Sequence, residues 1–252
     1  MHDYTDLTDA PRRVPSFRKR IILGITALVL FYAMTAYLLM PVEWRRYETR
    51  HPAVHLLPTI TETHDDIPGD PLNLVFVGTE QELKQSLVAS RWYPADPLTL
   101  RSCLEIAEAT VLKHSYEQAP VSSLFLFGRK QDLSFEKPVG HSPRQRHHAR
   151  FWKTAASHTD GRPTWVASAT FDKNVGLSHT TGQITHHIEA EIDRERDQLL
   201  SDLREAAQVA DVFLVEGFQT VRFGKNGSGD PWQTDGNLVE ITLKQPPPEP
   251  RR

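Results

Sequence analysis

Apolar and polar positions along this chain fall into blocks whose period changes from one segment to the next. The first apolar block is unbroken: Ile21 to Met40 contains no charged residue. With a rise of about 1.5 Å per residue, a helix of that length matches a hydrocarbon core about 30 Å thick, so the block predicts a transmembrane helix. A cleaved signal peptide fits less well, because its apolar region is shorter and small residues follow it, whereas Pro41, Trp44 and Tyr47 follow here. A buried soluble helix, apolar on every side, would need a very large core around it. From Arg50 to Asp70 no period is sustained and Pro52, Pro58, Pro68 and Gly69 punctuate the chain, as in a linker.

Beyond Asp70 short periods alternate. Leu72 to Val77 is apolar and β-branched and ends at Gly78, which predicts a strand. Thr79 with Glu82 forms a capping-box pattern for a helix that stops before Pro94, and Trp92 and Tyr93 follow to close over the core. A helical stripe over Leu98 to Tyr116 predicts a second helix. Ser123 to Arg129 and Asp132 to Lys137 read as neighbouring strands joined at Gly128 to Gln131, and Gly140 to Gln145 as a loop. His147 to Trp152 is predicted extended, with His148, Arg150 and Trp152 on one face and His147, Ala149 and Phe151 on the other.

Pro163 to Phe171 is the clearest later strand, ended by turn-forming Asp172, Asn174 and Gly176. Thr185 to Glu189 can be extended, and Asp193 suits the N-cap of a helix running to about Gln208. Val212 to Glu216 and Leu238 to Leu243 complete the strands. Helices and strands mix without strict alternation, which favours α+β over a doubly wound parallel sheet. The expected organisation is a basic cytoplasmic tail over 1–20, a transmembrane helix over 21–40, a linker over 41–69, one mixed α/β soluble domain over 70–244 and a disordered proline-rich tail over 245–252.

Charge adds orientation and removes some function classes. Arg12, Arg13, Arg18, Lys19 and Arg20 precede the apolar block, and Arg45, Arg46 and Arg50 follow it. That bias places the N-terminus in the cytoplasm and the domain in the periplasm, with the inner membrane as the anchoring bilayer. Tyr32, Tyr37, Trp44 and Tyr47 include aromatics suited to the headgroup level. The formal net charge is −3 over 252 residues, so no basic field draws nucleic acid as a partner. Cys103 is the only cysteine, which excludes an internal disulfide and any multi-thiolate metal site.

Candidate chemistry concentrates in two stretches. Thr185 to Asp197, T-H-H-I-E-A-E-I-D-R-E-R-D, joins two imidazoles to five carboxylates and two guanidiniums, and Arg144 to Trp152 again sets a histidine pair among arginines. One reading is a metal or acid–base site: His148, His187, Asp172 and Asp193 as catalytic groups, with His148, His187 and Glu189 holding a divalent transition metal that activates water. His186 competes with His187 for that place. On a strand the two point to opposite faces, so both cannot serve one ion. A second reading is an anion site, with Arg146, Arg150 and Arg196, joined by Arg194, around the helix N-terminus at Asp193. A third is a structural network in which Arg196 pairs with Asp132, Asp172 or Asp193. No G-x-S-x-G elbow occurs, and F-G-K-N-G-S-G-D at 223–230 lacks the order of a phosphate loop.

P-L-N-L-V-F-V-G at 71–78, G-R-K-Q-D-L-S-F-E-K at 128–137, R-H-H-A-R-F-W at 146–152, W-V-A-S-A-T-F-D at 165–172 and the stretch 185–197 together resemble the LssY C-terminal domain family. The resemblance covers most of the chain beyond the apolar block. That domain also occurs fused to lipid-phosphatase-like and DedA-like membrane segments, which implies an envelope setting and a partner that is an envelope protein or an anionic lipid. A phosphatase activity does not carry over, because this chain has a single anchor and no phosphatase motif. The expectation is a hydrolase of an envelope or lipid-derived ester, or else a non-catalytic module that recognises an anionic headgroup.

Overall fold

The computed structural model describes residues 17–43, 54, 57–95, 123–140, 142–182 and 184–245. The tail before residue 17, Trp44, Tyr47, the predicted helix over 98–116 with Cys103, and the proline-rich tail from Pro246 lie outside the described residues. Two compact units divide the chain at His51 and Pro52.

In the first unit the predicted apolar block is helical and longer than expected. Helix α1 spans Phe17–Met34, a π-turn covers Thr35–Leu39, and helical geometry continues to Glu43. None of its residues is buried. The helix is long and apolar enough to cross a membrane.

The second unit is an α+β domain. In chain order its elements are β1 (Ile60–Glu62), β2 (Pro68–Pro71), β3 (Leu74–Val77), α2 (Glu80–Ala89), β4 (Tyr93–Pro94), β5 (Phe125–Leu126), β6 (Arg129–Lys130), β7 (Leu133–Val139), β8 (Ser142–Ser157), β9 (Pro163–Leu177), β10 (Ile184–Ile188), α3 (Ile192–Glu205), β11 (Val209–Val215), β12 (Phe223–Lys225), β13 (Pro231–Gln233) and β14 (Leu238–Leu243). Among the described residues the main sheet has the order β11-β14-β3-β9-β8-β7-β4, with β10 beside β9. A four-stranded sheet, β2-β1-β5-β6, and the β12–β13 hairpin complete it. The expected linker to residue 69 is therefore partly domain. Its β1 and β2 pair with each other, and Val54 is buried against Leu72 and Trp152 in one core cluster.

Alternation along the strands builds two cores. Leu74, Phe76, Phe135, Ala149, Phe151, Trp165 and Ala167 face α2 and α3, whose Leu83, Leu87, Leu199 and Leu203 complete that cluster. Val75, Trp152, Val166 and Leu238 face the other way, against Leu72, Leu124, Leu126 and Phe218. The predicted capping box is present: Thr79 accepts from the Glu82 amide and the Glu82 carboxylate accepts from the Thr79 amide at 2.8 Å. Thr79→Ala is expected to cost about 1 kcal/mol in a denaturant titration, and a change near zero would show that packing alone holds the start of α2.

Four predicted boundaries move, three of them in strands whose pairing overrides local composition. Asp172, Asn174 and Gly176 do not end β9. The strand runs on to Leu177 because β10 pairs with it, Ile188 opposite Asp172 and Thr185 opposite Gly176. Phe127 and Gly128 both take positive φ, 56° and 70°, so β5 and β6 close a tight hairpin in the small sheet instead of running beside β7. The expected loop over 140–145 shrinks to a turn, since β8 begins at Ser142 and Gly140 adopts φ 59°. Helix α3 starts two residues earlier than expected, with Glu191 instead of Asp193 at its N-cap, and ends at Glu205.

The long β9 meets β3 at one end and β10 at the other, along the same edge. Asn73 fills the gap between them. Its side chain donates to the Ala169 carbonyl and accepts from the Ala169 amide, each at 2.9 Å, so an amide side chain continues the ladder where no strand lies.

Candidate functional site

On the sheet face turned away from α2 and α3, the apolar pattern stops one residue after Trp152 and Val166 in the inward direction. β8 then presents Arg150, His148 and Arg146, and β9 presents Ser168, Thr170 and Asp172, paired in register across the two strands. All six are buried. Asp70 from β2, His186 from β10 and Asn226 from the β12–β13 turn meet this row. Between them lies a cavity of about 380 Å³ whose wall includes Asp70, Arg150, Asp172, Thr185, His186 and Ser228.

Asp172 is the centre of the row. His148 Nδ1 and His186 Nδ1 both approach its Oδ2 to 2.9 Å. Neither contact reaches hydrogen-bond alignment, so the negative charge of Asp172 rather than a directed bond draws the two rings to it. His148 Nε2 lies 3.2 Å from Glu136 Oε2, which also receives Arg146 at 2.9 Å. A neutral imidazole has one N–H, and between two carboxylates it would set a lone pair against an oxygen; the protonated ring turns an N–H towards each. Burial opposes charge on His148, but Asp172 and Glu136 outweigh it and raise its pKa above the ordinary value. The same contacts overcome burial at Asp172 and Glu136 and hold both carboxyls below the usual range. His148 thus faces a carboxylate at each nitrogen and favours its protonated form, which leaves it poorly suited to ligate a metal.

His186 differs. With Nδ1 against Asp172, its Nε2 is buried without a protein partner, on a residue that lines the cavity. A carboxylate beside one imidazole nitrogen favours the tautomer with hydrogen there and a lone pair on the other. That nitrogen is the one on this cavity-wall histidine left with neither a hydrogen-bond partner nor a facing carboxylate.

The second charged pair in the wall is Arg150 Nη1 with Asp70 Oδ2 at 3.3 Å, where Asn226 donates to Asp70 Oδ1 at 3.0 Å. Burial raises the Asp70 pKa, and Arg150 and Asn226 offset only part of that effect.

The residues singled out from the sequence divide among different places. Asp172, His148, Arg146 and Arg150 share the buried row. Alternation along β10 separates the adjacent imidazoles as expected: the His186 ring lies 6.0 Å from His148, and the His187 ring 5.2 Å from His179. His187 Nδ1 contacts Asp230 at 2.7 Å, and Glu189 accepts from the neighbouring Ala190 amide, so His148, His187 and Glu189 have separate partners and do not form one ligand set. Asp193 sits in the first turn of α3, not at its cap, and binds the Thr234 hydroxyl and the Asp235 amide. Arg196 is buried and carries Asp235, Asp197 and Asp193, with the nearest contact at 2.8 Å. It therefore stands apart from Arg146 and Arg150, and the three guanidiniums do not converge. Of its expected partners, Asp193 is present, whereas Asp132 pairs with Arg129 and Asp172 with the histidines. Asp70, Glu136, Asn226 and Asp230 carried no motif, since each matters only through a partner remote in sequence.

No curated protein and no solved structure matches the chain. A family model described as LssY C-terminus matches residues 54–238, from the buried Val54 to the first residue of β14. The match takes in every residue of the buried row and of the cavity wall named above, and the chain belongs to the LssY C-terminus family.

Proposed function

We propose that the domain is a hydrolase of an envelope or lipid-derived ester, held at the inner membrane by α1 with the domain in the periplasm. The observation that supports the chemistry is the buried, unpartnered Nε2 of His186, a residue of the cavity wall, backed at Nδ1 by the buried carboxylate of Asp172. In this reading His186 removes a proton from a water molecule, the resulting hydroxide attacks the carbonyl or phosphoryl centre, and the imidazolium returns the proton to the leaving alkoxide. Asp172 is a positioning residue that favours the reactive tautomer and stabilises the transient cation. Arg150 and the hydroxyls of Thr185 and Ser228 stand in the wall where negative charge develops on the substrate oxygen. The setting is supported by an apolar helix of spanning length and by the charge bias that flanks it.

The test is a screen of phosphoesters and carboxyl esters with the full chain, followed by His186→Gln on any substrate turned over. A fall in kcat/KM of about 10²- to 10⁴-fold with unchanged folding is expected. Unchanged turnover would remove His186 from the mechanism. A blank screen, with vesicles bearing anionic headgroups retained by the wild type and released by Arg150→Met, would replace hydrolysis by headgroup recognition.

A further inference from the structure

Beyond Leu177 the chain reverses through residues 178–182, where Gly182 donates to the Ser178 carbonyl at 2.9 Å, and returns as β10. On this hairpin His179 and His187 come together with Asp230, the residue before β13. One ligand atom from each lies within 4.8 Å of those from the other two.

Each group is held by its own backbone. The His179 amide donates to the Ser228 carbonyl at 2.9 Å. Asp230 is fixed at its amide by Asn226 Oδ1 at 3.0 Å and at Oδ2 by the Ile188 amide at 3.2 Å, while Oδ1 meets His187 Nδ1. Two glycines make the approach possible. A Cβ at Gly176 would lie 2.7 Å from His187 Nε2, and one at Gly229, whose φ is +83°, would lie 2.8 Å from His179 Cβ. The His187–Asp230 contact by itself accounts for two of the three groups. It does not account for a third imidazole brought beside them at the cost of a glycine.

We propose that His179, His187 and Asp230 bind one divalent transition-metal ion of the zinc type. Two imidazoles and a carboxylate are borderline ligands that suit zinc and its neighbours and disfavour calcium or magnesium. Metal–ligand bonds of about 2.0–2.2 Å set ligand atoms up to roughly 4 Å apart, a separation that the His179 ring can reach by rotating. His179 is exposed, so water fills the remaining coordination position. The segments that supply the ligands also supply Ser178, Thr185, Asn226 and Ser228 to the cavity wall, and the ion ties these together from the side away from His186.

The experiment uses the full chain in detergent without a polyhistidine tag, stripped with chelator and titrated with Zn²⁺ by calorimetry, with Co²⁺ absorbance as a second readout. One equivalent is expected. His179→Ala, an exposed position, and Asp230→Asn should each weaken it by about 100-fold or more, since losing even an outer-shell partner costs about 10- to 100-fold. His158→Ala, at another histidine–aspartate contact, and His186→Gln should bind as the wild type does. Absence of 1:1 uptake, wild-type affinity in His179→Ala, or loss of the ion in His186→Gln would each overturn the proposal. None of these readouts depends on ester hydrolysis.

Discussion

Asp172→Ala is expected to lower the unfolding free energy of the domain by about 3–5 kcal/mol at neutral pH, the range found when one partner of a buried ion pair is removed. Asp172 is 2 % exposed and is the carboxylate shared by His148 and His186. Without it, the His148 cation keeps Glu136 on one side only and faces uncompensated burial on the other. The pH dependence separates this account from simple loss of packing. The Asp172 pKa lies below its ordinary 3.8, so its stabilisation is present above that value and is lost as pH falls through the folded-state value. The His148 pKa lies above 6.5, so its contribution is present below 6.5 and is lost as pH rises through the folded-state value. Urea titrations across pH should therefore show the pair at full strength from about pH 4 to 6.5, and a flattened profile in the variant. A loss under about 1 kcal/mol with the profile unchanged would mean that Asp172 is not the electrostatic centre of the row.

Arg150→Met should cost a similar amount, about 3–5 kcal/mol at pH 7, but the cost should already shrink in mild acid, above the pH at which Asp172 loses its charge. It strands Asp70, whose side chain is 8 % exposed and whose pKa burial already raises. A carboxyl with a raised folded-state pKa takes up protons more readily folded than unfolded, so stability falls as pH rises from its ordinary 3.8 through the folded value. Removal of the guanidinium raises that value further. The deficit of Arg150→Met should therefore shrink as pH is lowered towards about 4.5, and Asp70→Asn in the same chain should recover most of it at neutral pH. An equal deficit at both pH values would show that Arg150 acts through packing of its stem instead of through Asp70.

Local pattern was enough where a strand or helix is fixed by its own residues. The alternation of His147 to Trp152 assigned both faces of β8, the Thr79–Glu82 pair fixed the start of α2, and T-H-H-I placed β10. It failed where a neighbour decides. Asp172, Asn174 and Gly176 are turn formers by composition, yet β10 holds them extended, and Gly176 is needed because the His187 ring crosses above it. The site was legible in part for the same reason. Asp172, His148 and Arg150 stand on strands whose faces could be read, but their partners Glu136, Asp70 and His186 come from other strands. Alternation showed that His186 and His187 part company without showing which one meets the cavity. That depends on which sheet face carries the apolar helices.

The place of β14 has a consequence for how the protein is made. This strand, at residues 238–243, lies between β11 and β3 and runs parallel to β3, with Val239 opposite Leu74 and Thr242 opposite Val77. The β3 edge is thus covered by a strand that comes after every other described strand of the sheet, across a separation of more than 160 residues. Until then β3 keeps one open edge and β11 lacks its partner among the described strands, so the sheet from β3 to β4 can form but stands with an apolar edge uncovered. Translation delivers the apolar helix well before the strand that covers this edge, and in that interval the edge of β3 must be kept from pairing elsewhere.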